Sequence, residues 1–532
     1  MKYIVAVIFV IWVEQFSLAN IVPAEIRMKA DKADRYMHEN PEDSKTKAET
    51  LQSAHENENK NDFWLNIGKD FVNAQTTKRL NTNKAKNVIF FLADGMSVAT
   101  FNAARVVVGG EEKSMSFESF PHMGMVRTYC VDYQVPDSSC TSTAYLTGVK
   151  ANYGTVGLSA KVPRFDCTGQ LDTQNQTQSI FKWALDSGKS AGIVTTDTVT
   201  GASPAGVFAH SANRYWENDF EITKNSCDPN EIDDIAKQLI RGDVGSRLQV
   251  ILGGGRGHMR NDTVTDEEGV IGYRNDGLDL IEEYLERNHS RAKYVWNATE
   301  FRSVNPEDVD YLLGLFEKGA MMYNREVVED GRQNEEPTLA EMTEKAIDVL
   351  SKNENGYFLF VEGQKIDSAH HGNYARLSLD EVVEFSKAVD LARNKVNEED
   401  TLIVVTSDHS HTVSYNGYGV RGTDIFGSAE RSNMDGKPYM KLMYANGGGY
   451  SNHMSAEEKT RIDLSTVNTS SNRFQFPAGL PLSSETHAGD DVAVFTSGPW
   501  SHLFSGVYEQ NVIPYLIAYA ACIGEGISHS CS

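Results

Sequence analysis

The sequence predicts an α/β protein with a doubly wound, largely parallel central sheet, helices on both faces and a surface insertion. Three observations carry that expectation. Short runs that are apolar at nearly every position recur as NVIFFLAD (87–94), AGIVTT (191–196), LQVILGGG (248–255), YFLFVEG (357–363), TLIVVTSD (401–408) and DVAVFTSG (491–498). Such runs suit parallel strands buried on both faces. Helical patterns fall between them at 178–189, 230–240, 278–287, 338–353 and 377–396. This strand–helix alternation is that of a doubly wound sheet. Carboxylates, imidazoles and hydroxyls also gather just after the apolar runs, where such sheets bind ligands.

The elements are taken from the amino terminus. Residues 1–19 read as a secretory signal: Lys2, the apolar IVAVIFVIWV, then Ser17-Leu18-Ala19 as a small-residue cleavage site. A membrane anchor is the alternative, but the run is short for a span. Residues 20–60 are dense in Lys, Glu, Asp and Asn and read as a flexible polar leader that buries too little apolar surface to fold alone. Residues 61–532 are then expected to form a single catalytic domain with an insertion near 415–480, whose glycine-rich part is 431–453. Ser378 followed by Glu381 reads as a capping box opening the last long helix. VIPYLIAYAACIG (512–524) lacks flanking charges, and ISHSCS after it offers no hydrophobic tail for a lipid anchor. A soluble, secreted protein without a membrane span is expected.

Charge and cysteine content agree with export. The 532 residues include 74 acidic and 50 basic ones, a net charge of −24. Such a surface repels phosphate backbones, so nucleic acid is not an expected partner, whereas hard cations find oxygen ligands in it. Glycosylation sequons occur at Asn175, Asn261, Asn288, Asn297 and Asn468. The six cysteines can pair in an oxidising compartment, but in fifteen ways.

The strand ends carry the chemistry. Asp94 ends the first run, Ser203 follows the second, Glu362 ends YFLFVEG, and Asp408, His409 and His411 close TLIVVTSDHSH. In EGQKIDSAHHG, Asp367 and His371 are four apart, on one helix face within reach of one ion. Carboxylate oxygen with imidazole nitrogen suits zinc; a helix cap followed by surface histidines is the plain alternative. VPDSSCTSTAYLTG (135–148) offers Ser138, Ser139, Cys140 and Ser142 as nucleophiles. Taken singly, Asp94 is a loop aspartate, Arg214 a surface ion pair and Ser203 a turn residue before Pro204.

Together, FLADGM, VPDSSCTSTAYLTGVKANYGTVGLSA, GASPAG, AHSANR, VILGGG, FLFVEGQKIDSAHHG, VTSDHSH and ETHAGDDVAVF resemble, in order, the motifs of animal alkaline phosphatases, from about Asp62 to about Cys522. The resemblance implies an alkaline phosphatase-like fold, hydrolysis of phosphate monoesters through a phosphoserine, two zinc ions, one magnesium ion and a homodimer. One zinc would be held by Asp367, His371 and His487, the other by Asp94, Asp408, His409 and Ser138. Magnesium would take Asp94, Ser203 and Glu362. Ser138 would be the nucleophile, and Arg214 would grip the phosphate. The chemistry fits: two metals about 4 Å apart clamp attack and departure in line. Metal coordination activates a weak serine nucleophile. A guanidinium offers two phosphate oxygens a planar fork.

Five positions depart from the family pattern nearby: Ala93, Ser97, Ser142, Gly201 and Ser484, with Gly201 where vertebrate members carry a histidine near magnesium. An active enzyme with altered magnesium dependence is expected. The family's peripheral calcium site is matched in part by Phe316, Glu317 and Glu336, and more loosely by Glu268, with plain acidic surface as the alternative. Cys167–Cys227 and Cys522–Cys531 resemble the family's two disulfides. Cys130 and Cys140 then form a third bridge before Ser138 or remain two buried thiols. A phosphodiesterase or sulfatase on the same scaffold, or an inactive binding glycoprotein, are the competing readings. SSCTST lacks the sulfatase C/S-x-P-x-R pattern, and no ligand position is missing.

Overall fold

A computed structural model describes residues 56–288, 291–457 and 459–524. The signal segment 1–19, nearly all of the leader 20–60 and Cys531 lie outside them. The chain divides into two compact units, one to Thr77 and one from Lys78. The first contains the helix Asn61–Thr77, none of whose residues is buried.

The second unit is built on a ten-stranded sheet. Its spatial order is Gly506–Glu509, His122–Arg127, Val492–Ser497, Thr401–Thr406, Asn87–Ala93, Tyr357–Gly363, Ser190–Thr198, Val250–Gly254, Tyr311–Leu315, Ala292–Val295. The seven strands from Thr401–Thr406 to Ala292–Val295 are mutually parallel. Along the first strand, Ile89, Phe91 and Ala93 enter one core while Val88, Phe90 and Leu92 enter the other. Alternate side chains point to opposite faces. Both faces are covered, which is why these runs show no polar alternation. The helices Leu339–Leu350 and Ala375–Lys395 cover the first face, and Ile180–Asp186, Ile235–Arg241 and Ile513–Ala521 the second.

Three expectations change. The run at 491–498 forms a strand, but an antiparallel one, with Val494 opposite Thr406 and Ser497 opposite Ile403. The chain reaches it from His487, which pairs with His411 beyond the carboxyl end of Thr401–Thr406, so it must run back the other way. Ser378 does not cap a helix: Ala375–Lys395 begins a turn earlier, after Tyr374. The Ser378 hydroxyl instead lies 2.9 Å from His370 Nε2, and Glu381 accepts from the Asn324 N–H at 2.7 Å. A capping box does open Leu339–Leu350, formed by Thr338 and Glu341. The insertion is only partly surface. It adds a three-stranded sheet (Val413–Tyr415, Leu442–Gly447, Ala478–Pro481), and its Met440, Leu442, Tyr444, Phe474 and Phe476 join the first core.

Candidate active site

The site forms at the carboxyl edge of the parallel strands. The helix Ser138–Thr147 begins at the candidate nucleophile and is buried at every residue. Polar side chains are tolerated there because their hydroxyls bond backward to carbonyls: Thr141 to Asp137, Thr143 to Ser139, and Ser142 to both Ser139 and Ala202. Asp137 caps the helix, accepting from the Ser139 and Cys140 N–H groups and the Ser139 hydroxyl. Of the four candidates, then, Ser139 and Ser142 are engaged within the fold and Cys140 is bridged to Cys130, with a Cα–Cα distance of 5.8 Å. Ser138 alone turns to the histidines, with Oγ 3.2 Å from His409 Nε2.

Two groups of ligand-type atoms flank it. Asp94, Asp408 and His409 form one, and Asp367, His371, His411 and His487 the other, with ligand atoms in each within 4.8 Å of one another. In the first, His409 Nε2 lies 3.0 Å from Asp408 Oδ2 and 3.6 Å from Asp94 Oδ1. In the second, Nε2 of His371 and His487 are 3.1 Å apart, and Asp367 lies within 3.4 Å of both His371 and His411. The short helix Lys365–His371 sets Asp367 and His371 on one face. Remote carbonyls hold the outer ring nitrogens: His371 Nδ1 is 2.6 Å from Glu485 O, and His487 Nδ1 2.8 Å from Pro136 O. Such contacts orient imidazoles for metals.

Gly95, at φ +74°, follows Asp94, and a Cβ there would fall 2.6 Å from the His411 ring. Both its backbone conformation and the approach of His411 therefore require glycine. The neighbouring His370 does not join the site. Its ring is buried between Thr100, Ser378 and Tyr444, and burial holds it well below its ordinary pKa, neutral.

The third expected group has a different signature. Asp94 Oδ1, Ser203 Oγ and Glu362 Oε1 are all buried without a hydrogen bond of good geometry. Burial, followed by the Asp408 charge, pushes Asp94 well above the usual carboxylate range; burial and then Asp197 do the same to Glu362. Buried polar atoms are almost always satisfied. Three orphaned oxygens around carboxylates that resist ionising fit a hard cation. In the histidine-rich group the sign reverses: burial favours the neutral acid, yet His371 and His411 hold Asp367 well below its ordinary value. Asp137 ties Arg214 to the start of the Ser138 helix, since Arg214 Nη1 donates to Asp137 Oδ2 at 3.1 Å, immediately before Ser138. Burial opposes the Arg214 charge, but Asp137 raises its pKa above the ordinary value.

The alkaline phosphatase family model matches residues 85–523. The chain belongs to the alkaline phosphatase family. A membrane-bound alkaline phosphatase of Bombyx mori is 45% identical over 512 residues, 94% of this chain and 91% of that one. The human tissue-nonspecific isozyme is 43% identical over 485 residues, 88% of this chain and 90% of its own. The fold is shared with the Thermus thermophilus alkaline phosphatase, at 20% identity and a TM-score of 0.58, covering 84% of this chain and 93% of that one. The chain is thus a phosphomonoester hydrolase of a metal-dependent family.

Asp137, His411 and Glu485 were not among the expected alkaline phosphatase site residues. Each had a signal: Asp137 directly precedes Ser138, His411 ends the alternating SDHSH, and Glu485 stands two before His487. His411 bridges, with Nδ1 2.5 Å from Glu485 Oε2 and Nε2 2.6 Å from Asp367 Oδ1. Against burial, those two carboxylates push its pKa up to about 10.

The expected calcium residues lie apart from this centre. Glu336 is buried, accepts from the Met322 N–H at 3.1 Å and leans on Glu317; burial pushes it up to about 8. Glu268 is ion-paired with Arg256, and Phe316 is buried against Phe301. A second disulfide joins Cys167 to Cys227, while Cys522 is disulfide-bonded to a partner not described. Among the described residues, no helix is long and apolar enough to cross a membrane.

Proposed function

We propose that the chain hydrolyses phosphate monoesters through a covalent phosphoserine at Ser138, with two zinc ions and one magnesium ion. The observation that carries this reading is the approach of Ser138 Oγ to His409 Nε2 at 3.2 Å, with Arg214 anchored to the adjacent Asp137. Asp367, His371 and His487 would hold one zinc; Asp94, Asp408 and His409, with Ser138, the other. Asp94, Ser203 and Glu362 would hold magnesium. When bound, these ions supply positive charge to the attacking, leaving and equatorial oxygens of the transferred phosphoryl group.

The chain's own groups do the rest. Asp137 fixes the Arg214 guanidinium so that it presents donors to phosphate beside Ser138. Helix Ser138–Thr147, its first N–H groups capped by Asp137, directs the positive end of its dipole toward the same anion. The Ser138 hydroxyl loses its proton as its oxygen bonds phosphorus and the alcohol leaves. Water then cleaves the phosphoserine, restoring the hydroxyl and releasing inorganic phosphate.

A secreted, glycosylated homodimer is part of the same reading, supported by the signal-like start, the sequons and the family. A peripheral calcium ion would draw on Glu268, Glu317, Glu336 and the Phe316 carbonyl, and would relieve the raised Glu336. The deciding experiment compares p-nitrophenyl phosphate with bis(p-nitrophenyl) phosphate, before and after chelation, for wild type and Ser138→Ala. Expected are preference for the monoester, loss on chelation, and a drop on the order of 10³-fold or more in Ser138→Ala with metal content unchanged. Wild-type turnover by Ser138→Ala with full metal content would overturn the mechanism.

A further inference from the structure

Arg164 has no acidic partner. Its guanidinium donates through Nε and Nη2 to a single oxygen, Asn213 Oδ1, at 3.1 and 2.9 Å. Among the described residues, Nη1 makes no hydrogen bond and no carboxylate pairs with the group. The chain holds 74 acidic residues against 50 basic ones, and its buried arginines Arg256 and Arg274 are each paired with two carboxylates or more. Rings hold Arg164 instead. Its guanidinium carbon lies 4.9 Å from the Phe165 ring centroid, 5.5 Å from that of Tyr215 and 5.7 Å from that of Tyr153. Aromatic faces fix a guanidinium without neutralising it.

The local backbone is built around this placement. Gly154 leaves room for it, since a Cβ there would collide with Arg164 Cδ and Nε. Phe165 stands at φ +71°, a left-handed conformation that is costly for a bulky residue, and its N–H donates to Ala212 O at 2.9 Å. Strain of this kind gathers at functional sites.

The cluster borders the Arg214 side chain. Asn213, which is buried and orients Arg164, directly precedes Arg214. The Arg214 N–H donates to Gly154 O at 2.9 Å, and the Gly154 N–H donates to Asp137 Oδ1 at 2.9 Å. Tyr215 lies against both arginines, its ring centroid 5.5 Å from each guanidinium carbon. Tyr215, Phe165 and Tyr133, the last packed on Tyr153 at 4.8 Å, are exposed, so the cluster opens to solvent. An uncommitted guanidinium beside the one assigned to phosphate is placed to receive a second anionic group of the same substrate.

We propose that Arg164 is a specificity-determining residue that binds an anionic group on the leaving alcohol, so that monoesters carrying a second negative charge are preferred. The inference rests on the reading of Arg214 as the phosphate-binding arginine. The net charge of −24 repels such substrates as a whole, which makes a local pair of cations at the mouth decisive for them.

The test compares kcat/KM for 4-carboxyphenyl phosphate and p-nitrophenyl phosphate, esters of similar shape of which the first carries a carboxylate where the second carries a nitro group. The ratio of the two, set against the wild-type ratio, cancels intrinsic reactivity and metal loading. In the metal-loaded full chain, Arg164→Gln is expected to lower that ratio about 10-fold, Arg164→Lys to recover part of the loss, and high NaCl to shrink the gap. An unchanged ratio in Arg164→Gln, or an equal loss on both substrates, overturns the assignment. Arg214→Gln tests the underlying reading and should weaken inhibition by inorganic phosphate. If it does while Arg164→Gln keeps the wild-type ratio, the Arg164 assignment falls alone. If phosphate inhibits Arg214→Gln as it does wild type, the Arg214 reading falls, and Arg164 with it.

Discussion

Replacing Asp137 by asparagine tests whether the helix cap also holds Arg214, the arginine proposed to bind phosphate. The side chain is 1% exposed and both oxygens are used. Oδ1 accepts from the Gly154 N–H at 2.9 Å and the Cys140 N–H at 3.3 Å; Oδ2 accepts from Arg214 at 3.1 Å and from Ser139. Asparagine retains the first pair and turns an amide N–H₂ toward the second. One charge-assisted hydrogen bond is lost, about 1.5–3 kcal/mol, and two donors are left facing each other. Severing a fully buried ion pair costs about 3–5 kcal/mol. The Arg214 side chain is 22% exposed, so water recovers part of that. A cost of about 2–3 kcal/mol is expected; expressed wholly in the transition state it lowers kcat/KM roughly 30- to 150-fold.

The assay is steady-state hydrolysis of p-nitrophenyl phosphate with inorganic phosphate as competitor, beside thermal unfolding. Both kcat/KM and phosphate affinity should fall in Asp137→Asn. Burial favours the neutral acid at Asp137, but Arg214 and the hydrogen bonds hold it below its ordinary pKa. The contribution of this charge is therefore fully present above the unfolded value and lost as pH falls through the folded one. The stability gap between wild type and variant should be flat at neutral pH and close below about pH 4. If the variant loses stability but keeps wild-type kinetics and phosphate inhibition, Asp137 is only a cap and the reasoning fails.

Two further outcomes follow from the same structure. The double variant Cys130→Ala/Cys140→Ala opens a loop of sequence separation 10 and should lose about 3 kcal/mol of stability, read by denaturant unfolding with metals present. An unchanged midpoint would show that the bridge adds nothing beyond the packing around it. Among the sequons, Asn468 is exposed while Asn261 is buried. Glycopeptide mass spectrometry of the protein expressed in a glycosylating host should find Asn468 modified and Asn261 bare, and the reverse pattern would contradict the burial argument.

The sequence by itself determined the parallel core and the chemistry at its edge. Strands buried on both faces leave unbroken apolar runs, and the residue after each run must sit where ligands gather, so Asp94, Glu362, Asp408 and His409 were legible before any coordinates. Short strands at the sheet edges and next to one were not: Gly506–Glu509 and Ala292–Val295 at the edges, and His122–Arg127 beside the first, are partly exposed and carry no apolar run. Nor was strand direction at Val492–Ser497, which depends on where the chain re-enters the sheet rather than on composition. The family resemblance singled out Ser138 among Ser138, Ser139, Cys140 and Ser142; only tertiary structure shows where each side chain turns, because that depends on which one finds a carbonyl, a carboxylate, a second thiol or an imidazole. Tertiary structure also separated His370 from His371, adjacent residues of which one packs into the core and one faces the ligand cluster. The same holds for Gly201, which in the sequence is only a missing side chain. Folding brings Asp197, four residues earlier, into that space, and proximity of this kind is written in neither residue alone.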